Sequence, residues 1–368
     1  MQSQLDYRDT PSLLIDVEKM ERNLKEMATV AADAGVALRP HVKTHKCTAL
    51  ALRQLELGAR GITVAKIGEA EVMAHAGIRD IRIAYPVVGE YKLKRLAKLM
   101  ERAEVSVSLD SVEVAQGLSD LGRHLGRRIP ILLKINAGLN RTGVLPEDAV
   151  TAARALESLP GVRLVGILTH EGQALKEPSR DGAKQVALRV GAIMVETAQR
   201  LRQAGFGIEE VSVGATPTVR DIAHVPGITE IRPGTYIFND FNEVTLGVAT
   251  EETCALTVLA TIVSIPADDR AVLDAGAKTL SSDLLSPPSA RKGYGYIKGY
   301  PDITIARLNE EHGILTLQNA KSTLKVGQQV EIIPNHVCPV VNLADVMYLM
   351  RNGVCEGQLE ILAAGKNR

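Results

Sequence analysis

The sequence predicts a parallel (β/α)8 barrel of the TIM type followed by a second, all-β domain. Three observations carry that expectation. Over residues 36–238, short apolar runs of strand length alternate with amphipathic stretches of helical period, the pattern of buried parallel strands joined by crossover helices. The strand-like runs number eight, which is the number that closes such a barrel. Beyond about residue 240 the helical period gives way to short strand-like runs separated by turns, the texture of β structure. An open doubly wound sheet is the alternative for the first part.

Taken in order, SLLIDV at 12–17 is strand-like and precedes the barrel, so it is expected to pair with the β-domain. Asp16 can cap a helix whose apolar face is Met20, Leu24, Met27 and Ala31, and Gly35 can end it. Barrel strands are then expected at 36–42, 61–65, 80–86, 105–110, 130–137, 163–170, 210–215 and 229–238. Helices fall between them at 46–57, 67–76, 89–102, 111–125, 146–158 and 179–204, with a short turn near 217–222. The later runs are TCALTVLATIVSI, RAVLDAG, GYGYIKG, ITIARL, GILTLQ, QQVEIIP and DVMYLM. The expected division is a barrel over residues 15–240 and a β-rich domain made of residues 1–14 with 241–368.

Composition narrows the function. The 43 Lys and Arg balance 43 Asp and Glu, and no long basic run occurs, which argues against a nucleic-acid partner. No apolar run approaches bilayer-spanning length, and MQSQLDYRDT lacks the basic-then-apolar pattern of a signal peptide. Cys47, Cys254, Cys338 and Cys355 are too scattered for a disulfide framework. The expectation is a cytoplasmic protein with free thiols and no membrane partner. With Trp absent and aromatics at 3%, aliphatic residues must fill the core.

Barrel enzymes place their chemistry on the loops after the C-terminal strand ends. The first strand runs into RPHVKTHK, residues 39–46, which crowds Arg39, His41, Lys43, His45 and Lys46 together. The segment could be a nucleic-acid patch, a metal site, or a lysine kept to react with a carbonyl. The fifth strand leads to Asn136, Asn140 and Arg141, and the sixth ends in Thr169-His170-Glu171-Gly172. The seventh ends in Gly214-Ala215-Thr216-Pro217-Thr218 and the eighth in Gly234-Thr235-Tyr236. Small, hydroxyl-bearing loops after the last two strands are where barrels hold a phosphate. A strand-one lysine, an arginine across the barrel and a phosphate cradle together describe pyridoxal phosphate: the lysine forms the Schiff base, the cradle grips the phosphate and a cation faces the ring nitrogen. In PNHVCPVVN, His336 and Cys338 have an i, i+2 spacing. On an extended segment both would point one way, and imidazole with thiolate suits zinc; a buried cysteine beside an incidental histidine is the alternative.

Nearly the whole chain resembles the fold-type III pyridoxal-phosphate enzymes, an alanine-racemase-like barrel plus a β-domain, and within them the D-serine dehydratase and D-threonine aldolase family. The motifs are TPSLLIDVEKMERN, RPHVKTHK, GITVAKIGEAE, NRTGV, VSVGATPT, EHG and PNHVCPVVN. The resemblance implies that Lys43 carries the cofactor and takes the substrate's α-proton. Arg39, His41, His45 and Lys46 supply part of the field that lowers its pKa, with a structural or solvated role as the equal alternative for any one of them. The resemblance places Arg141 against the pyridine nitrogen and His170 in the catalytic and cofactor site. Gly214, Thr216, Gly234, Thr235 and Tyr236 are assigned to the cofactor, and His336 and Cys338 to a divalent metal, zinc in the first place and manganese or magnesium otherwise. It also implies a homodimer. His-x-Cys is the dehydratase pattern, where the aldolases carry His-x-Asp; Glu171 in place of the aldolases' histidine before Gly172, His170 ahead of it, and GYG at 293–295 point the same way. The implied reaction is dehydration of a D-amino acid with a β-hydroxyl, D-serine, D-threonine or D-3-hydroxyaspartate, to an oxo acid and ammonia. Retro-aldol cleavage to glycine and an aldehyde is the alternative within the family. A racemase leaves the His-x-Cys pair unexplained, and non-catalytic proteins with this barrel generally lack a β-domain.

Overall fold

The computed structural model describes residues 9–286, 292–317 and 324–368. Strand β1 is Ser12–Asp16, and the helix Val17–Ala34 follows it directly. That helix starts and stops as its sequence dictates. The Asp16 carboxylate accepts the Lys19 N–H at 3.0 Å, and Gly35 ends the helix with φ +66°, a left-handed turn that costs glycine little. Met20, Leu24, Met27 and Ala31 are buried on one face.

The barrel strands are β2 (Ala37–Leu38), β3 (Ile62–Val64), β4 (Asp80–Ile83), β5 (Glu104–Leu109), β6 (Ile129–Lys134), β7 (Val162–Leu168), β8 (Glu210–Val213) and β9 (Glu230–Ile231). They form one parallel sheet in the order β2-β9-β8-β7-β6-β5-β4-β3. The two ends of that path meet. His41 bridges Thr63 in parallel, Val42 N–H donates to the Thr63 carbonyl at 2.9 Å and Thr63 N–H to the Pro40 carbonyl at 2.8 Å. The seam of the barrel is therefore the RPHV of RPHVKTHK. Strands β2 and β9 are shorter than the sequence suggests because Pro40 and Pro233 donate no N–H to the ladder.

Among the described residues, nine strands make the second sheet: β1 with β10 (Leu256–Ala267), β11 (Arg270–Leu273), β12 (Tyr296–Ile297), β13 (Ile303–Leu308), β14 (Gly313–Leu317), β15 (Gln329–Ile333), β16 (Val346–Arg351) and β17 (Val354–Glu360). As expected, SLLID pairs with this domain, antiparallel to β10 and parallel to β16. Strand β17 was not legible because VCEGQLE is mostly exposed and shows no apolar alternation. The second domain is not purely β: Phe241–Thr245, Ala277–Leu280 and Val337–Asn342 are short helices.

An ionic cluster lies buried among the barrel strands. Arg39 donates to Glu230 at 2.7 Å and to Asp80 at 2.5 and 3.0 Å. Arg82 pairs with Glu230 and Glu210 and donates to the Ser106 hydroxyl at 3.1 Å. Burial alone would push Glu230 up, but the Arg82 and Arg39 guanidiniums outweigh it and hold Glu230 at about 2. Because its folded pKa lies below the unfolded one, Glu230 stabilises the fold fully above the ordinary carboxylate range. That stabilisation fades as pH falls toward about 2. We predict that Arg82→Leu, which takes the closest cation from Glu210 and leaves buried Glu230 to Arg39 alone, costs about 3–5 kcal/mol in urea unfolding near pH 7. The deficit should shrink under acid, where Glu230 can take a proton; a loss below ~1 kcal/mol at pH 7 would mean the cluster is not held as described.

Candidate active site

A cavity of about 330 Å³ opens at the C-terminal ends of the barrel strands, where the second domain meets them. Lys43, Arg141, His170, Gly214, Thr216, Gly234, Thr235, His336 and Cys338 all line it. Tyr236 is the exception. Its phenol is buried and accepts from Gln54 Nε2 at 2.9 Å, and its backbone N–H donates to Thr216 Oγ1 at 3.0 Å. Tyr236 therefore braces a cavity residue rather than forming the wall.

The seam fixes Lys43. It follows Val42 immediately, in a tight turn where Lys46 N–H donates to the Val42 carbonyl at 2.8 Å. Gly234 packs against that turn so closely that a Cβ there would sit 2.8 Å from Thr44 Oγ1 and 2.9 Å from the His41 carbonyl. The other cations expected to act on Lys43 need correcting. Arg39 is spent on Glu230 and Asp80. Lys46 pairs with Glu69 at 2.7 Å and donates to Asn367 at 3.2 Å. His45 is buried against Gln54 at 3.2 Å, and burial drops its pKa to about 4. Of the four, only His41 reaches the cavity. Burial first, and the Lys43 cation next, push both His41 and His170 well below the usual imidazole range.

Two further cations line the cavity that sequence reasoning missed, Lys134 and Arg232. Burial, with Arg141 and Arg232 nearby, lowers Lys134 to about 8. Burial lowers Arg232 to about 10; it donates to the Ser212 hydroxyl and, at 2.5 Å, to the Thr169 carbonyl. A signal was present. Each is a charged residue closing an apolar strand, ILLK and EIR, in the position where barrel chemistry collects.

Glu171 is fully buried and its carboxylate accepts the Gly214 N–H at 3.0 and 3.2 Å and the Thr218 hydroxyl at 3.2 Å. It thereby sets the loop after β8. Gly214 itself has φ +118°, and a Cβ there would meet the Arg232 nitrogen at 2.9 Å.

On the opposite wall, the His336–Cys338 segment is not extended. His336 is the N-cap of the helix Val337–Asn342, which places Cys338 in its first turn. The helix starts there because the Asp240 carboxylate accepts the Val337 N–H at 3.1 Å, satisfying an otherwise orphaned donor. The two side chains still come together. Burial pushes Cys338 up, but the imidazolium of His336 outweighs it and holds the thiol below its usual value. Burial likewise opposes charging His336, yet Cys338, Asp240 and Asp283 lift it to about 10. Asp283 Oδ2 lies 2.7 Å from His336 Nδ1, and Thr44 Oγ1 lies 3.2 Å from Cys338 Sγ. Among the described residues, no three His, Cys, Asp or Glu side chains are grouped so as to hold an ion by themselves.

The residues present fit both expected groups. Lys43, Lys134, Arg141 and Arg232 give the cavity a strong positive charge, and the close-packed glycines Gly214 and Gly234 bring backbone to its wall, which suits a phosphorylated cofactor. A thiolate beside an imidazole whose far nitrogen is held by a carboxylate suits a zinc-like ion.

Residues 15–240 match the model of the alanine racemase N-terminal domain, and residues 255–350 that of the putative serine dehydratase domain. The chain is 36% identical to a D-threonine aldolase from Arthrobacter sp., over 98% of this chain and 94% of that one. It is 34% identical to the D-threo-3-hydroxyaspartate dehydratase of a Delftia species, over 92% and 93%. The solved structure of that dehydratase superposes with a TM-score of 0.90 at 32% identity, covering 98% of this chain and 99% of the other. The D-threonine aldolase of Filomicrobium marinum superposes with 0.89 at 33%, covering 98% and 97%.

Gly214→Ala should destabilise the protein by about 1–3 kcal/mol, because a non-glycine φ of this kind is strained and the new methyl meets the Arg232 backbone. Gly207→Ala is the control, since a Cβ there meets nothing within 4 Å. Equal melting temperatures for the two variants would contradict the loop geometry.

Proposed function

The chain belongs to the family that joins an alanine racemase N-terminal domain to a serine dehydratase domain, the pyridoxal-phosphate lyases of D-amino acids, and we propose that it dehydrates a D-amino acid bearing a β-hydroxyl. D-Serine, D-threonine and D-3-hydroxyaspartate are the substrates in view, with an oxo acid and ammonia as products. One observation carries the reading: the His336–Cys338 pair faces the same cavity as Lys43. A D-threo-3-hydroxyaspartate dehydratase has been solved as a cysteine-to-alanine variant in the metal-free form and as a histidine-to-alanine variant. Those two residues stand two positions apart, like His336 and Cys338.

In this reading pyridoxal phosphate, when bound, supplies an electron sink for the bond broken at the substrate's α-carbon. Lys43 anchors it and accepts the α-proton on Nζ. His41 and His170, kept neutral by burial, frame that lysine without adding charge. The loops at Gly214–Thr216 and Gly234–Thr235 hold the phosphate. Arg141 is assigned to the ring nitrogen, and Lys134 and Arg232 add positive charge for the phosphate and the substrate carboxylate. A divalent ion on His336 and Cys338, zinc before manganese or magnesium, supplies Lewis acidity to the β-hydroxyl. Asp283 orients the His336 ring for it. Lys43 and the His336–Cys338 pair line different walls, so one enantiomer would present its α-hydrogen to the lysine while turning its hydroxyl toward that pair. A cytoplasmic homodimer completes the proposal, supported by the free cysteines and by the family pattern.

Cleavage to glycine and an aldehyde is the second reading, favoured by the 36% identity to a D-threonine aldolase. Product analysis separates the two. With D-threonine we expect 2-oxobutyrate and ammonia, and with D-serine pyruvate and ammonia, with L-enantiomers inert. Lys43→Ala should lose turnover by several orders of magnitude, since anchor and base go together. Stoichiometric glycine release from D-threonine would establish the aldolase reading instead.

A further inference from the structure

The metal wall of the cavity contains a group that the chemistry above leaves idle. Glu243 lines the cavity with His336 and Cys338, is only 3% exposed, and its Oε2 is buried with no hydrogen-bond partner. Leaving a buried acceptor unsatisfied costs about 1–3 kcal/mol, more when it is charged. The cations that act on it are held elsewhere: Arg220 is paired with Glu26 at 2.6 Å, and the His336 ring is held by Asp283 at 2.7 Å. A hydroxyl or water donor in the cavity would satisfy this oxygen.

The position of Glu243 is built rather than incidental. Its helix, Phe241–Thr245, is stitched to the segment leading into the ligand pair. Phe241 N–H donates to the Pro334 carbonyl at 2.9 Å, and Asn242 N–H to that of Asn335 at 3.2 Å. Asn242 Nδ2 reaches the same Asn335 carbonyl at 2.7 Å. The Asp240 carboxylate accepts the Glu243 N–H at 3.2 Å with one oxygen and the Val337 N–H at 3.1 Å with the other. One buried carboxylate thus caps both short helices, so Glu243 and the His336–Cys338 pair keep a fixed relation.

Among the described residues no three such side chains group closely enough to hold an ion, so Glu243 is assigned a place outside the His336–Cys338 pair rather than that of a third direct ligand. Two protein ligands leave open coordination positions, which water or a substrate hydroxyl fills. We propose that Glu243 is the outer partner of the metal, its orphaned carboxylate oxygen bonding the water or substrate hydroxyl that completes the coordination of an ion held by His336 and Cys338. The inference rests on the metal reading of that pair. It assigns Glu243 two consequences: tighter retention of the ion, and orientation of the oxygen that is to leave.

The test is zinc titration of the metal-stripped, cofactor-loaded protein against a chromophoric chelator. Glu243→Leu should weaken zinc affinity by about 10–100-fold, the scale of outer-partner losses, while the metal-free variant melts no lower than wild type because an unsatisfied carboxylate has been removed. Glu243→Gln, which keeps a polar oxygen without the charge, should bind between the two and guards against a folding defect in the leucine variant. Wild-type affinity in both variants would overturn the inference and leave the metal reading intact. A wild type that binds zinc no better than Cys338→Ala would overturn the metal reading and the inference together.

Discussion

Closure of the barrel at one seam is the constraint on which the site depends. Strands β2 and β3 do not pair along their own lengths; the ring is completed just beyond β2, where His41 bridges Thr63, the Val42 N–H donates to the Thr63 carbonyl and the Thr63 N–H donates to that of Pro40. The residue after Val42 is Lys43. The lysine proposed to hold a cofactor and move a proton is thus attached to a point the fold cannot relax without opening. The turn that follows is locked from several sides. Gly234 presses on Thr44 and His41, and Lys46, in a left-handed conformation, is tied to Glu69 and to the carbonyl of Ala363. Beneath it, the cluster of Arg39, Arg82, Glu210 and Glu230 fills the barrel with paired charge.

The second domain brings the other half of the chemistry to that lysine. Strand β1 lies inside the second sheet, between β10 and β16, while its last residue, Asp16, caps the first barrel helix. The same kind of economy recurs at Asp240, whose carboxylate caps two helices on the metal wall. Charge is divided accordingly. Cations line the barrel side, where phosphate and substrate carboxylate are proposed to sit, and carboxylates surround His336 and Cys338 on the other. A β-hydroxy amino acid has its own polarity along the same direction, with an anionic carboxylate at one end and a hydroxyl at the other.

Much of this was legible in the chain. Asp16, Gly35 and the spacing of Met20, Leu24, Met27 and Ala31 specify the first helix by local chemistry alone, and the structure obeys them. Strand ends pointed to seven of the eight barrel residues expected at the cavity because barrel loops converge by topology, and PNHVCPVVN pointed to His336 and Cys338. What escaped depends on packing. Whether Arg39 and Lys46 face the cavity or a buried acid is decided by Glu230 and Glu69, far away in sequence. The helix at Val337 depends on a cap from Asp240, 97 residues earlier, and no periodicity in HVCPVV could announce it. Tyr236 looked like cofactor wall because it follows Gly234-Thr235, but its ring turns inward to Gln54.

The central claim is that cofactor and metal occupy two separately built walls that meet over Lys43, and that the reaction needs both. Treating the purified protein with a chelator while recording visible absorbance and turnover of a D-β-hydroxy amino acid tests it directly. The account predicts that turnover disappears while the cofactor's absorbance stays, because its anchors lie on the barrel, and that added zinc restores activity. Full turnover by metal-free protein would contradict it.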